Sequence, residues 1–234
     1  MIIDEVLKYA KENNTKEICG VVIVFKGREK FIKCKNIAED NQEDFFIIDP
    51  EDYAKAEDMG EVVYIVHSHP KTSPNPSEAD IIGIENTNIP WIIVNPLTEE
   101  YTITKPSGYK APLVGRKFIH GVLDCYSLIK DYYKEKLNIV LLNFIRQDDW
   151  WHKGQTLYRS NFEKAGFLEV NKDSLRLHDV LLICNGSSEP NHGAIYLGNG
   201  TMLHHVQGRL SSIDVYGGYW LQNTWKVVRH KDLL

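Results

Sequence analysis

His67 and His69, two residues apart, and Asp80, eleven positions further on, are three side chains of the kind that bind zinc. Residues two apart in a strand project from the same face, so both imidazoles can reach one ion. Three protein donors with one open position describe a catalytic zinc, whose bound water has its pKa lowered to about 7. Glu17, at the start of an apolar strand pattern, is the candidate general base. Ser77 reads as N-cap of the helix that carries Asp80 in its first turn.

A second set of reactive residues lies in the other half of the chain. Cys125 heads a helical pattern, where the positive end of the helix dipole is expected to lower its pKa and favour the nucleophilic thiolate. His192, opening the strand HGAIYL, is its candidate base. That strand returns through GNG into TMLHH, so a second histidine can hold the base in one tautomer. A three-residue loop at 198–200 places His204 on the face of His192, whereas a two-residue Asn-Gly turn places His205 there. Cys19, Cys34 and Cys184 fall within apolar strand patterns and read as buried thiols. His120 is ambiguous between pocket and solvent, and His152, His178 and His230 read as structural or exposed. Trp150, Trp151, Trp220 and Trp225 read as core or groove walls.

The elements that must carry these residues follow from periodicity. The pattern predicts a helix over 2–13, a strand over 18–25, a Lys-Gly turn at 26–27 and a strand near 30–35. A strand is expected at FFIID (45–49), a helix over 51–58 after Pro50, and a buried strand at EVVYIVHSHP. EADIIGIENT follows as a helix, WIIV (91–94) as a buried strand, and YTITK closes the first domain. KPSGYKAPL (105–113) reads as a linker, with a boundary near residue 108. Beyond it come helices from Cys125 and over 155–167, the latter ending at Gly166. DVLLIC, HGAIYL, TMLHHV and TWKVVRH then predict a small antiparallel sheet packed on helices. The expected organisation is an α/β domain over 1–105, a linker over 106–113 and an α+β domain over 114–234.

Composition excludes several classes. The chain has 234 residues, 43% hydrophobic and 25% charged, as in ordinary globular proteins, and its length suits two domains. A net charge of −5 and a pI near 6.0 argue against nucleic acid as a partner. No apolar run approaches the ~18–20 residues of a membrane span, so no membrane insertion is expected. The first residues lack the pattern of a signal peptide. Four cysteines without a CxxC pair argue against a disulfide framework or a cysteine-zinc finger and fit a reducing compartment.

HSHP followed by S-x-x-D, with Glu17 in E-x-C-G upstream, resembles the JAMM (MPN-type) zinc metalloproteases over most of residues 1–105. The resemblance implies a cytidine-deaminase-like α/β fold, with His67, His69 and Asp80 as Zn2+ ligands. It also implies Glu17 as acid/base and Ser77 as stabiliser of the oxyanion. The Asp-Cys pair at a helix start, DVLLI leading to HGAIYLGNG, and a histidine twelve residues after His192 resemble the NlpC/P60 cysteine peptidases over about 112–234. This implies a papain-like α+β fold, amide hydrolysis in peptidoglycan stem peptides, and a triad of Cys125, His192 and His204. It further implies structural roles for Asp124 and Asp179, and an upstream tyrosine at the oxyanion site, for which Tyr109 is available. Cys125-Tyr126-Ser127 departs from the usual DCSG of that family, which bears on the shape of the pocket.

The two domains together, with GRKFIHGVLDCYSLIKDYY, resemble lambda-type phage tail-tip assembly proteins. That resemblance implies a bifunctional peptidase whose partners are phage tail-tip proteins and, during entry, peptidoglycan peptides. It would work in the host cytoplasm during assembly, or at the virion tail tip. Two rival readings are a non-catalytic assembly factor and a cytosolic enzyme that trims protein tails.

Overall fold

The computed structural model describes all 234 residues and divides into two compact units, Met1–Lys110 and Ala111–Leu234. The first contains α1 (Ile2–Glu12), β1 (Cys19–Phe25), β2 (Arg28–Cys34), α2 (Pro50–Met59) and β3 (Glu61–Ser68). It continues through α3 (Glu78–Thr87), β4 (Trp91–Val94) and β5 (Tyr101–Thr104). The strands form one sheet in the order β2-β1-β3-β4-β5. Only β3 and β4 run parallel, which requires a crossover, and α3 supplies it.

Strand alternation divides the apolar side chains between two faces. Val22, Val66, Ile92 and Val94 pack with Val6 and Ala10 of α1. Val21, Ile23, Ile65 and Trp91 pack with Ala56 of α2 and Ile84 of α3. Helices therefore cover both faces, and strands buried on both sides read as the continuous apolar runs CGVVIVF and WIIV.

The β1–β2 connection is the expected Lys26-Gly27 turn, with both residues at positive φ (48° and 74°) as a tight hairpin requires. The strand expected at 45–49 does not form. Backbone bonds from Ile37 to the Ile47 carbonyl (2.9 Å) and from Asp49 to the Lys35 carbonyl (3.0 Å) make an isolated Asn36–Ile48 bridge, but the Ile47 N–H donates to Asn36 Oδ1 at 3.1 Å and the ladder goes no further. Residues 107–108, expected in the linker, are tied to α3: the backbone N–H groups of Ser107 and Gly108 donate to the Glu85 carboxylate at 2.6 and 3.0 Å. Cys19 and Cys34 face each other across β1 and β2 as free thiols.

The second unit contains α4 (Cys125–Leu137), α5 (Leu157–Asn161), β6 (Phe167–Val170), β7 (Val180–Ile183) and β8 (His192–Gly198). After these come β9 (Thr201–His204), β10 (Ser212–Val215), α6 (Gly218–Gln222) and β11 (Thr224–His230). Its sheet, β10-β9-β8-β7-β11-β6, is antiparallel throughout. Leu128, Ile129, Tyr132 and Tyr133 of α4 pack on the face formed by Val180, Leu182, Ile195, Leu203 and Val228.

The helix expected over 155–167 is shorter than its pattern suggested. Regular helix stops at Asn161, and the chain turns at Gly166, whose φ of +89° admits no ordinary side chain. A Cβ there would also lie 2.6 Å from the His230 ring. Two four-residue strands, β6 and β10, were not anticipated; both lie at sheet edges and bury few of their side chains. No helix is long and apolar enough to cross a membrane.

Beneath this sheet Arg229 donates to both oxygens of buried Asp179 at 2.7 and 2.8 Å, and the Arg176 backbone N–H adds a third bond at 2.7 Å. Removing one member of a buried pair strands the other charge. Asp179→Ala is therefore expected to cost about 3–5 kcal/mol in urea unfolding of the second unit. A loss below about 1 kcal/mol would contradict a buried pair of this kind.

Candidate functional site

In the first unit the candidate residues meet at the carboxyl end of β3. Cys19 pairs with His67 in the β1–β3 register, and Glu17, two residues before Cys19, continues that face towards His69. The His69 N–H donates to the Val94 carbonyl at 2.9 Å, holding the end of β3 against β4. Asp80 comes from the first turn of α3. Ser77 caps that helix: its Oγ accepts from the Asp80 N–H at 3.2 Å, and its own N–H donates to Asp80 Oδ2 at 2.7 Å. This reciprocal pair fixes the carboxylate.

His67 Nε2 and His69 Nε2 are 3.1 Å apart, and the Asp80 oxygens lie 3.2 and 3.3 Å from them. Each imidazole approaches a different Asp80 oxygen, and the three groups are close enough together to serve as donors to one metal ion. Glu17 Oε1 is further out, 3.9 Å from His69 Nε2, although the donor atoms of Glu17, His67 and His69 all lie within 4.8 Å of one another.

Tautomers point the same way. The His69 Nδ1 lies 2.8 Å from the Ser73 carbonyl, which can only accept, so Nδ1 carries the proton. That leaves Nε2 as the His69 nitrogen turned towards Asp80, where it donates to the carboxylate when the ring is protonated and offers a lone pair to a metal ion when it is neutral. Burial opposes the charged ring, but Asp80, the Ser73 carbonyl and Glu17 raise its pKa. Burial pushes the Glu17 carboxyl up to about 8, with Asp80 adding to the rise and His69 opposing it. Burial would also raise Asp80, but hydrogen bonds from His67 and His69 hold it well below the usual carboxylate range. The two carboxyl groups are thus driven apart, Glu17 towards the protonated form and Asp80 towards the ionised one.

In the second unit Asp124 caps α4 through the Ser127 N–H at 2.8 Å and is clamped by Arg146 at 2.7 and 3.2 Å. It is structural, as is Asp179. Cys125 follows at the head of the helix, its Sγ 3.3 Å from the Tyr158 hydroxyl. The backbone N–H of Gly193, the residue after His192, lies near enough to the thiol to oppose the rise in its pKa. Gly193 must be glycine there, because a Cβ would lie 2.6 Å from Tyr158 Oη and 2.7 Å from Ile129 Cδ1.

The hairpin after His192 combines the two registers open to the sequence. Gly198 pairs with Thr201 around a two-residue Asn199-Gly200 turn, which alone would bring His205 to the active face. A bulge between Tyr196 and Gly198 restores the shift, so Ala194 pairs with His204. His192 Nε2 lies 3.1 Å from His204 Nδ1, and His204 Nε2 lies 2.9 Å from Asp214 Oδ2. His205 points the other way, fully buried, with neither ring nitrogen hydrogen-bonded and its ring edge-on to Phe118 at 5.0 Å.

Two expectations change at this site. The helix dipole does not lower the thiol pKa: burial pushes Cys125 up to about 11, the Asp124 charge adds to this, and Tyr158 and Gly193 offset only part. Tyr158, not Tyr109, is the tyrosine at the thiol; Tyr109 belongs to the end of the first unit. His178 and His230, expected to be structural or exposed, have partners in Tyr132 Oη at 2.7 Å and Asp232 at 3.6 Å, and His120 lies 3.5 Å from Asp148. Asp214 was missed because β10 is too short and too exposed to leave a strand pattern. Burial lowers His192 to about 3, with His204 and His205 adding to the effect, so thiol and imidazole are both neutral at rest.

Comparisons with known proteins agree with this division. The family described as prokaryotic homologs of the JAB domain matches residues 1–105, and the NlpC/P60 family matches residues 115–229. The tail tip assembly protein K of Escherichia phage N15 is 34% identical over 233 residues, covering 99% of this chain and 95% of its own. The protein of the same name from Escherichia phage lambda is 42% identical over 182 residues, covering 78% of this chain and 88% of its own. The chain belongs to this family of tail tip assembly proteins.

Two outcomes follow from the geometry. Chelator-stripped protein is expected to take up one zinc per chain by mass spectrometry or atomic absorption, and His67→Ala or Asp80→Ala to abolish uptake. Ser77→Ala should keep the metal while losing about 1 kcal/mol for the missing cap. For the thiol, iodoacetamide labelling of Cys125 should rise about tenfold per pH unit from 7 to 10, because ionisation lies near 11. A plateau below pH 8 would show a preformed thiolate instead.

Proposed function

We propose that this member of the tail tip assembly protein K family is a peptidase of a tailed phage that acts while the tail tip is built. The same thiol site would cut peptidoglycan stem peptides at entry. The observation that carries this reading is the set at the head of α4: Cys125 against Tyr158, with His192 hydrogen-bonded to His204. A partly exposed thiol at a helix start, packed near the Gly193 backbone that follows His192, together with a histidine whose second nitrogen is held by another polar group, fits acyl-transfer catalysis.

The chemistry starts from a neutral pair. Cys125 Sγ attacks the carbonyl carbon of the scissile amide as its proton passes to His192, so the uphill ionisation is coupled to bond formation. The Tyr158 hydroxyl and the Gly193 N–H, both at the sulfur, are placed to donate to negative charge as it develops. His192 then gives the proton to the departing amine, leaving a thioester on Cys125. Water, deprotonated by His192, releases the acid and restores the thiol.

The first unit is proposed as a separate hydrolase centre, with His67, His69 and Asp80 holding Zn2+. When bound, the zinc would supply an activated water and polarise the scissile carbonyl. Glu17, protonated near neutrality and 3.9 Å from His69, is positioned to exchange a proton with groups at that centre. Ser77 holds Asp80 in place and lies at the helix start where an oxyanion would be stabilised.

Its partners are then other tail-tip proteins and, for the thiol site, wall peptides. The setting is the host cytoplasm during assembly, with carriage in the tail tip accounting for any action on the wall. The test is complementation of a phage lacking the protein with Cys125→Ala and, separately, His67→Ala. Each is expected to reduce infective tails by more than about 100-fold, the usual scale for a lost catalytic group. If both variants build infective tails at the wild-type yield, the protein is an assembly factor that does not depend on catalysis.

A further inference from the structure

We propose that Asp214 is a positioning residue of the thiol site, which through His204 dictates the ring nitrogen of His192 that is free to take the Cys125 proton. The proposal rests on the reading of Cys125 as nucleophile, and it concerns a residue ten positions beyond His204, on the edge strand of the sheet.

The argument is one of donors and acceptors. A carboxylate only accepts, so the 2.9 Å contact between Asp214 Oδ2 and His204 Nε2 places the His204 proton on Nε2. Neutral His204 then presents a lone pair at Nδ1. His192 Nε2, 3.1 Å away, must donate to it. Neutral His192 has one ring proton, which this bond claims, and Nδ1 is left as the basic nitrogen. Without Asp214 the opposite chain is equally allowed: His204 Nδ1–H donates to His192 Nε2, the His192 proton moves to Nδ1, and the ring has no base to offer the thiol.

Sheet register builds this contact in. His204 pairs with Ser212 and Met202 with Asp214, so Asp214 lies diagonal to His204 on the same face of the sheet. Its carboxylate is held below the ordinary range by the His204 hydrogen bond, and Arg209 lies 3.7 Å from the same oxygen. Trp220 closes the relay from the side, its ring 4.8 Å from that of His204 and 5.6 Å from that of His192. No proton travels along the relay during turnover. The thiol proton goes to His192 Nδ1 and leaves from there to the amine, while Nε2–H stays on His204.

The test is nitrogen-15 NMR of the imidazoles in the full-length protein, with the rate of Cys125 alkylation by iodoacetamide measured at one fixed pH. Wild type is expected to show the Nε2–H tautomer for both His192 and His204. Asp214→Ala should mix the tautomers of both rings and slow alkylation about tenfold, a small part of the loss seen when a triad carboxylate is neutralised. Asp214→Glu should restore both readouts. Nδ1–H on wild-type His192, or tautomers and labelling unchanged in Asp214→Ala, overturns the proposal. The tautomers report on Asp214 even if no substrate is ever cleaved, so failure of the peptidase reading is distinguishable from failure of this one.

Discussion

Side chains on a strand alternate between its two faces, and both candidate sites rest on that period of two. In the first unit it sends Ile65, His67 and then His69 towards α2 and α3, while Val66 points to the α1 side. The parallel step from β3 to β4 brings the start of α3 back over the same strand end, which is where crossovers in α/β sheets leave room for ligands. In the second unit the same period would have carried His205 to the active face across a tight Asn-Gly turn. One extra residue in β8 reverses that outcome, so His204 joins the site and His205 is buried against Phe118.

This shows which parts of the site were legible in the sequence. His67, His69, Asp80, Cys125 and His192 carry their chemistry in their residue types and spacing; the structure gathers the first three at one strand end and sets Cys125 at the head of α4 near Gly193, the residue after His192. The choice between His204 and His205 was not readable from strand pattern, because the decisive bulge at Leu197 is an ordinary apolar residue in an ordinary strand. Asp214 and Tyr158 left no local mark either. Each reaches the site from an element whose place is set by long-range pairing, Asp214 on a four-residue edge strand and Tyr158 on a helix of five residues. The long strands and well-capped helices, by contrast, were visible in apolar period and in Ser77 and Asp124 as caps. FFIID misled because its pairing with 35–37 is cut to a single bridge, the Asn36 side chain taking the Ile47 N–H.

Electrostatics separates the two sites in kind. At the first, two imidazoles and a carboxylate crowd together at one strand end, with His67 and His69 holding Asp80 ionised and Asp80 raising the pKa of His69. At the second, burial outweighs the helix dipole, so neither the thiol nor His192 is charged at rest. In the proposed mechanism a neutral pair makes the location of one proton on His192 decisive. The Arg146–Asp124 clamp holds the head of α4 while the Asp179–Arg229 pair ties β7 to β11, so the sheet and helix that carry the nucleophile and base are braced by ionic contacts away from the proton relay.

The central claim, that Cys125 forms a covalent acyl-enzyme, is tested most directly by intact-mass measurement of protein quenched in acid during incubation with tail-tip proteins or peptidoglycan fragments. The account predicts a thioester adduct that maps to Cys125 and vanishes in Cys125→Ala together with the products. Cleavage at an undiminished rate by Cys125→Ala, with no adduct on the wild-type protein, would contradict it.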